Sequence, residues 1–340
     1  MKTPLYERRR LGLGIYALVG GLIGLALLYW LWWRLGHSIS LIQLKQIAPL
    51  MLWLTPGYVL PIAAAALSWR LLFPQQKAPG LFAAIQLTWI GLGINWLLPV
   101  AMVGGELVKF RLATARGWKQ HTVIASLVGD KTLQVGSQVA FTLLGVALLV
   151  LMSGWLSGLG AVLAMAVLFS AVIYAFCRLQ HSGLFSGLAA RLSRFSSNQA
   201  KVRLHGAKID VAIRSMYRRQ YRWWLAAAWR MAFRLLMVGE IWLVMAWHHW
   251  DVLWWQMIVM ESMAQGARAA AFFIPAGIGA QESGLIAVGL LLGIPAEQLL
   301  LLAVVKRARE LTVGGIGLLG WQWAEGNRWW RRQTNRPDSG

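Results

Sequence analysis

Acidic residues are scarce in this chain of 340 residues: 12 Asp and Glu stand against 33 Lys and Arg, and charged residues of both signs make up only 13%. Soluble domains carry about 25% charged residues, so the low content excludes an ordinary soluble protein. Long apolar runs recur instead, and about 18 such residues in a row are enough to cross a bilayer. The sequence therefore predicts an all-α, polytopic membrane bundle.

Cysteine and enzyme motifs are nearly absent as well. The single cysteine, Cys177, excludes an intrachain disulfide and a cysteine-based zinc site. The sequence has no glycine-rich phosphate loop, no serine nucleophile elbow and no paired-aspartate cluster. His248, His249 and Asp251 lie in a short link between tryptophans, where a membrane-interface role explains them more simply than a metal site. We predict no metal, no cofactor and a transporter-like protein rather than an enzyme.

Eight apolar segments are long enough to cross a membrane. They lie at 11–33, 47–73, 80–103, 121–151, 158–178, 223–247, 252–275 and 297–323. A shorter segment, 284–294, would rise only about 16 Å as a helix. Residues 29–33 are bulky where a cleavage site needs small side chains, so the first segment is predicted to be a retained span.

The net charge of +21 lies between the apolar segments, in the N-terminus, residues 109–119, the 178–222 loop and the tail. The short links near 152–157 and 248–251 contain no Lys or Arg. The positive-inside rule therefore places both termini in the cytoplasm. The expected partners are membrane lipids rather than nucleic acid.

We expect a single transmembrane domain over residues 1–324, which includes the basic loop, and a basic cytoplasmic tail over 325–340. The second half of the loop, from Val211 to Tyr217, fits either a basic amphipathic helix on the membrane surface or a solvated loop. Crossing parity adds a constraint. From a cytoplasmic N-terminus, three full crossings by the segments at 11–33, 47–73 and 80–103 would leave the basic cluster at 109–119 outside. One of these segments must therefore return to the side from which it entered, so re-entrant segments are needed.

Two stretches rich in proline and glycine share a pattern. In each, Glu follows Pro by seven residues, from Pro99 to Glu106 and from Pro275 to Glu282. Each Glu also precedes a charged pair by 24 residues, which indicates a degenerate internal repeat: Asp130-Lys131 and Lys306-Arg307. We expect the helix to break at membrane depth at Pro99, Gly104, Gly105, Pro275, Gly277 and Gly279. Paired broken segments point to a transporter's substrate site, whereas ordinary turns between spans are the alternative.

Charged residues inside the apolar segments are the strongest functional signal. A bare charge in mid-membrane costs about 2.5 kcal/mol or more, so these residues should face the bundle interior with partners. Helical spacing also predicts an i,i+4 pair between Lys306 and Glu310. The set suggests a hydrated cavity for an anionic head group, and internal ion pairs that lock the helices are the alternative. The predicted substrate-binding residues are Asn95, Glu106, Asp130, Lys131, Arg230, Arg234, Glu261, Arg268, Glu282, Lys306, Arg307, Arg309 and Glu310.

The stretches 95–106 and 273–282, followed by the run Lys-Arg-Ala-Arg-Glu at 306–310, resemble the flippase-like transmembrane domain of the lysylphosphatidylglycerol synthase family. That run and the Gly-Trp-Gln at 320–322 look most like the hopanoid-biosynthesis-associated branch. The resemblance covers nearly the whole chain. It implies a multi-pass bundle with re-entrant helices, in the inner membrane of a bacterial cell, that moves or presents a lipid between leaflets. The positions that carry over are Asn95, Pro99, Gly105, Glu106, Pro275, Gly277, Gly279, Glu282 and Arg307 or Arg309.

The resemblance also implies a class of cargo, against which other functions have to be compared. The cargo it implies is an anionic phospholipid, a polyprenyl-phosphate carrier or a hopanoid-related lipid. Because the chain stops soon after its last span, we expect it to lack the aminoacyl-transferase domain of the synthases. The alternatives to a translocase are a lipid-modifying membrane enzyme and a scaffold that recruits lipid-biosynthesis enzymes through its basic loop.

Overall fold

The computed structural model describes residues 41–98, 104–154, 199–271 and 279–334, together with scattered positions between 155 and 198. These residues are helical almost throughout and include no strand, which confirms the all-α prediction for the described part. The helices in these ranges are α1 Leu41–Gly57, α2 Val59–Leu71, α3 Leu81–Leu97, α4 Gly104–Ala115, α5 Gln120–Met152, α6 Gln199–Tyr217, α7 Gln220–Trp247, α8 Trp254–Ala270, α9 Ala280–Leu291 and α10 Ala296–Thr334. The predicted first span at 11–33, most of the predicted span at 158–178, and Pro99, Pro275 and Gly277 lie outside the described residues.

Two helical stretches are long and apolar enough to cross a membrane: Ile47–Leu71, which joins most of α1 to α2, and Gln120–Met152, which is α5. A helix of 33 residues rises about 50 Å, well beyond a hydrocarbon core of about 30 Å. Helices α7 and α10 are long enough too, at 28 and 39 residues, but both carry charged side chains at mid-helix. Those charges have to be satisfied inside the protein.

Several helix bounds differ from the predicted segments. The segment 80–103 ends as a helix at Leu97, two residues before Pro99, because the residue before a proline is disfavoured in helical conformation. The segment 252–275 ends as a helix at Ala270. Helix α10 continues past residue 324 into the predicted tail, and the C-terminal half of the basic loop is helical as α6.

Apolar side chains hold the helices together in two main cores. One joins α1, α7, α8 and α10 and includes Leu50, Ile241 and Leu302. The other joins α2, α3, α4 and α5 and includes Trp69 and Leu87. Helix α3 packs against α2, α4 and α10, while α8 packs against α5 and α9. This arrangement brings charged residues from six helices within reach of one another.

Glycines let α3 approach two neighbours at backbone distance. A Cβ on Gly105 of α4 would lie 2.1 Å from the carbonyl oxygen of Gly91 on α3. A Cβ on Gly93 of α3 would lie 2.7 Å from the carbonyl oxygen of Gly314 on α10. Since no side chain occupies these contacts, α4 and α10 are both fixed closely to α3.

We expect Gly105→Ala to destabilise the protein by about 1–3 kcal/mol, because the added methyl group overlaps a backbone oxygen that cannot rotate away. Gly136→Ala in the middle of α5 is the matched control, since a Cβ there has no heavy atom within 4 Å. Thermal unfolding of the detergent-solubilised protein measures both changes. Equal melting temperatures for the two variants would contradict the close α3–α4 contact.

Candidate functional site

Ionised side chains from α4, α5, α7, α8, α9 and α10 form a network inside the bundle. Ten of these fourteen side chains belong to buried residues. The eight cations outnumber the six acids by two. The cations are Lys109, Lys131, Arg230, Arg234, Arg268, Lys306, Arg307 and Arg309, and the acids are Glu106, Asp130, Glu240, Glu261, Glu282 and Glu310.

Asp130 on α5 is the centre of the first group. Its Oδ2 accepts a hydrogen bond from Nζ of Lys109 on α4 at 3.3 Å, and its Oδ1 accepts one from Nη2 of Arg230 on α7. The ammonium of Lys109 also lies 3.9 Å from the ring centroid of Trp69. Sequence analysis assigned Lys109 to a cytoplasmic basic cluster, but the structure buries it, with 4% of the residue exposed.

Glu106 and Asn95 connect the end of α3 to the start of α4. The backbone N–H of Gly105 donates to Oδ1 of Asn95 at 2.9 Å, and Nδ2 of Asn95 donates to Oε2 of Glu106 at 3.2 Å. Glu106 in turn pairs with Lys131 on α5, with 2.7 Å between Oε1 and Nζ. Asn95 therefore orients the carboxylate of Glu106 toward Lys131.

Glu240 on α7 is the centre of the second group. Arg309 donates to it with two atoms, Nε to Oε1 at 3.1 Å and Nη2 to Oε2 at 3.0 Å. Lys306 bridges Glu240 at 3.2 Å and Glu261 at 2.5 Å. The guanidinium of Arg309 also lies 4.3 Å from the ring centroid of Tyr58. Glu240 was not among the predicted site residues, although its place in an apolar segment was the signal for it.

Arg307 and Glu310 form the third group, at the contact of α9 with α10. Arg307 donates from Nε to Glu282 and from Nη1 to Oε2 of Glu310 at 2.7 Å. Arg268 donates to Glu310 and, at 2.8 Å, to Oε1 of Gln281. The predicted pair between Lys306 and Glu310 is therefore wrong: Lys306 faces Glu240 and Glu261, while Glu310 faces arginines.

The backbone N–H of Gly279 donates to Oε2 of Glu282 at 2.9 Å. Gly279 has φ of +84°, a conformation that glycine adopts without strain. It caps the start of α9 and so fixes Glu282 in the first turn, facing Arg307. Of the predicted helix breaks, Gly279 thus stands immediately before a helix and Gly104 begins one.

Arg234 on α7 is connected to the second group through Gln265, and both of its described acceptors are uncharged. It donates to Oε1 of Gln265 and, at 3.2 Å, to the carbonyl oxygen of Gln134. Nε2 of Gln265 in turn donates to Oε1 of Glu261 at 2.6 Å. The residue is 7% exposed, and no carboxylate of the described ranges forms an ion pair with it.

Four guanidinium nitrogens of the network are buried without a hydrogen-bond acceptor among the described residues. They are Nε of Arg230, Nε of Arg234, Nη2 of Arg268 and Nη1 of Arg309. Buried donors normally have hydrogen-bond partners, so each of these N–H groups is available to an acceptor that enters the network. The network as a whole therefore has unused hydrogen-bond donors as well as excess positive charge.

A family model described as "Lysylphosphatidylglycerol synthase TM region" matches residues 17–317. The chain belongs to this family. Every residue of the ionised network lies inside the matched range. As a lysylphosphatidylglycerol synthase TM-region protein, it is a membrane protein of a family involved in lipid handling. No curated protein and no solved structure matches the chain.

His248 and His249 of this family member lie apart from the network. His248 stacks on Trp250 with 4.7 Å between ring centroids, and burial beside His249 lowers the pKa of His248 below its usual value. Across the described ranges, no group of three or more His, Cys, Asp or Glu side chains is arranged to hold a metal ion. The chemistry that the described site offers is therefore charge pairing and hydrogen-bond donation by arginine and lysine.

Proposed function

We propose that this protein moves an anionic lipid between leaflets, or presents one, with a phosphate-bearing head group held by the buried cations of the network. An anionic phospholipid and a polyprenyl-phosphate carrier fit this description, and a hopanoid-related lipid is the third candidate cargo. Membership of a lipid-handling membrane family supports the proposal. The proposed setting is a bacterial inner membrane, with both termini in the cytoplasm.

The main support for the proposal is the buried guanidinium of Arg234. A guanidinium inside the membrane costs several kcal/mol unless an anion offsets its charge, and its described partners are both neutral. Arginine N–H groups are strong hydrogen-bond donors to phosphate, and Arg230 and Arg234, one helical turn apart, each have an unused Nε donor. A phosphate would satisfy these donors and offset part of the excess positive charge of the network.

Two sets of consecutive helices, α3–α4–α5 and α8–α9–α10, have matching features that support a degenerate internal repeat. Helices α3 and α8 both have 17 residues, and α4 and α9 both have 12 with Glu in third place. Glu106 pairs with Lys131 and Glu282 pairs with Arg307, each 25 positions further along the chain. The short helices rise only about 18 Å, so we propose that they are re-entrant rather than spanning.

The paired glutamates suggest how a head group would be released. The side chains of Glu106 and Glu282 are both 20% exposed, more than the 1–2% of Glu240, Glu261 and Glu310. An entering phosphate would compete with them for Lys131 and Arg307. Return of a displaced glutamate to its cation would then release the head group.

The proposal is tested with the full chain reconstituted into vesicles that contain fluorescently labelled phosphatidylglycerol or labelled phosphatidylcholine. We expect protein-dependent exchange between leaflets for the anionic probe. Arg234→Gln should lower that rate by at least about tenfold, while Arg234→Lys keeps part of it because the charge remains.

Arg111→Gln is the matched control for this substitution. Arg111 pairs with Glu325 at 3.1 Å, and its side chain is 47% exposed. The control should transport like the unmodified protein. Full activity of Arg234→Gln, or a rate of the unmodified protein no higher than that of empty vesicles, would contradict the proposal.

A further inference from the structure

A cavity of about 590 Å³ lies between the start of α5 and one face of α6. The α6 residues that line it follow helical spacing, at Leu204, Lys208, Val211 and Ser215. Its floor is buried and apolar, formed by Leu72, Ala125 and Met216. This cavity is separate from the ionised network and includes none of its residues.

The rim of the cavity is cationic. Lys119, Lys208 and Arg219 line it together with His121, and the described lining residues include no Asp or Glu. In the described part of the chain, no carboxylate forms an ion pair with any of the three permanent cations. Their combined charge is therefore available to an anion.

The outer wall of the cavity is apolar and open. Leu204 is 53% exposed and Val211 is 62% exposed on the same helix as Lys208. Tyr221 and Trp224, just after Arg219, are 79% and 70% exposed. Exposed aromatic side chains beside cations are typical of the head-group layer of a membrane, so the cavity opens where lipid head groups lie.

We propose that this cavity is a second lipid site, which binds the phosphate head group of an anionic lipid from the adjoining leaflet. The cations at 119, 208 and 219 contact the phosphate, and an acyl chain lies along Leu204 and Val211. The apolar floor separates this site from the network: Met216 is close to Gly129, one residue before Asp130. The site does not rest on the proposed transport function.

Binding of dioctanoyl phosphatidic acid to the full chain in neutral detergent, measured by thermophoresis, tests the proposal. We expect Lys208→Ser with Arg219→Ser to weaken binding about tenfold. The matched control is Arg214→Ser with Arg218→Ser, which removes two charges from exposed residues that do not line the cavity. That control should stay within about twofold of the unmodified protein.

Two further comparisons make the test specific. Ala207→Phe narrows the cavity without a change of charge and should also weaken binding. Arg234→Gln should retain the cavity-dependent binding, which separates failure of this proposal from failure of the transport proposal. If Lys208→Ser with Arg219→Ser and the control double variant weaken lipid binding equally, the attraction comes from the surface charge in general, and the proposed site is wrong. Glycerol 3-phosphate that binds as tightly as the lipid would overturn the lipid assignment.

Discussion

Glu240→Gln is expected to destabilise the protein by about 3–5 kcal/mol, because it leaves two buried cations without their shared carboxylate. The side chains of Glu240, Arg309 and Lys306 are only 1–2% exposed. Lys306 would keep Glu261, but the carboxylate remaining near Arg309 is that of Glu310, at 4.0 Å. The aromatic rings beside Arg309 cannot offset a full charge in a medium of low dielectric constant.

Thermal unfolding in detergent, followed by tryptophan fluorescence, measures this loss. Glu297→Gln is the control, since Glu297 is exposed in the first turn of α10. Adding Arg309→Met to Glu240→Gln should recover part of the stability, because the second change removes the charge left unpaired. An unfolding temperature of Glu240→Gln equal to that of the control would show that the buried pair contributes nothing.

Glu106→Gln combined with Glu282→Gln is expected to reduce lipid exchange to the rate of empty vesicles. If the head group exchanges with these carboxylates, their removal abolishes the step that returns Lys131 and Arg307 to the unloaded state. The loss of stability should be smaller than for Glu240→Gln. Lys131 is 31% exposed, and Arg307 keeps Glu310 at 2.7 Å.

The vesicle assay described above measures this effect, with each single variant alongside the double variant. Glu325→Gln is the matched control, because it breaks a carboxylate–arginine pair outside the network. Exchanging the charges of one pair, with Glu106→Lys and Lys131→Glu together, should restore more activity than Glu106→Lys alone. Normal exchange by the double Gln variant in a folded state would remove these carboxylates from the mechanism.

The sequence determined the class of the protein. Long apolar runs with few acids predicted an all-α membrane protein, and the helical structure and the family match confirm it. Local chemistry also placed one helix end, since the helix before Pro99 ends at Leu97. The short apolar segment predicted at 284–294 overlaps a helix of 12 residues, Ala280–Leu291, but has different ends. These features follow from backbone geometry and hydropathy within a short stretch of chain, so the sequence is sufficient for them.

Tertiary structure alone decided which charges pair. Lys109 lies in a run that reads as a cytoplasmic cluster, yet it contacts Asp130 because α4 packs against α5. Lys306 has Glu310 one turn away, yet it pairs with two glutamates on other helices. Helical periodicity reports which residues share a face but not which helix lies opposite. Burial requires a partner for every charge, and only the packing of the helices selects that partner.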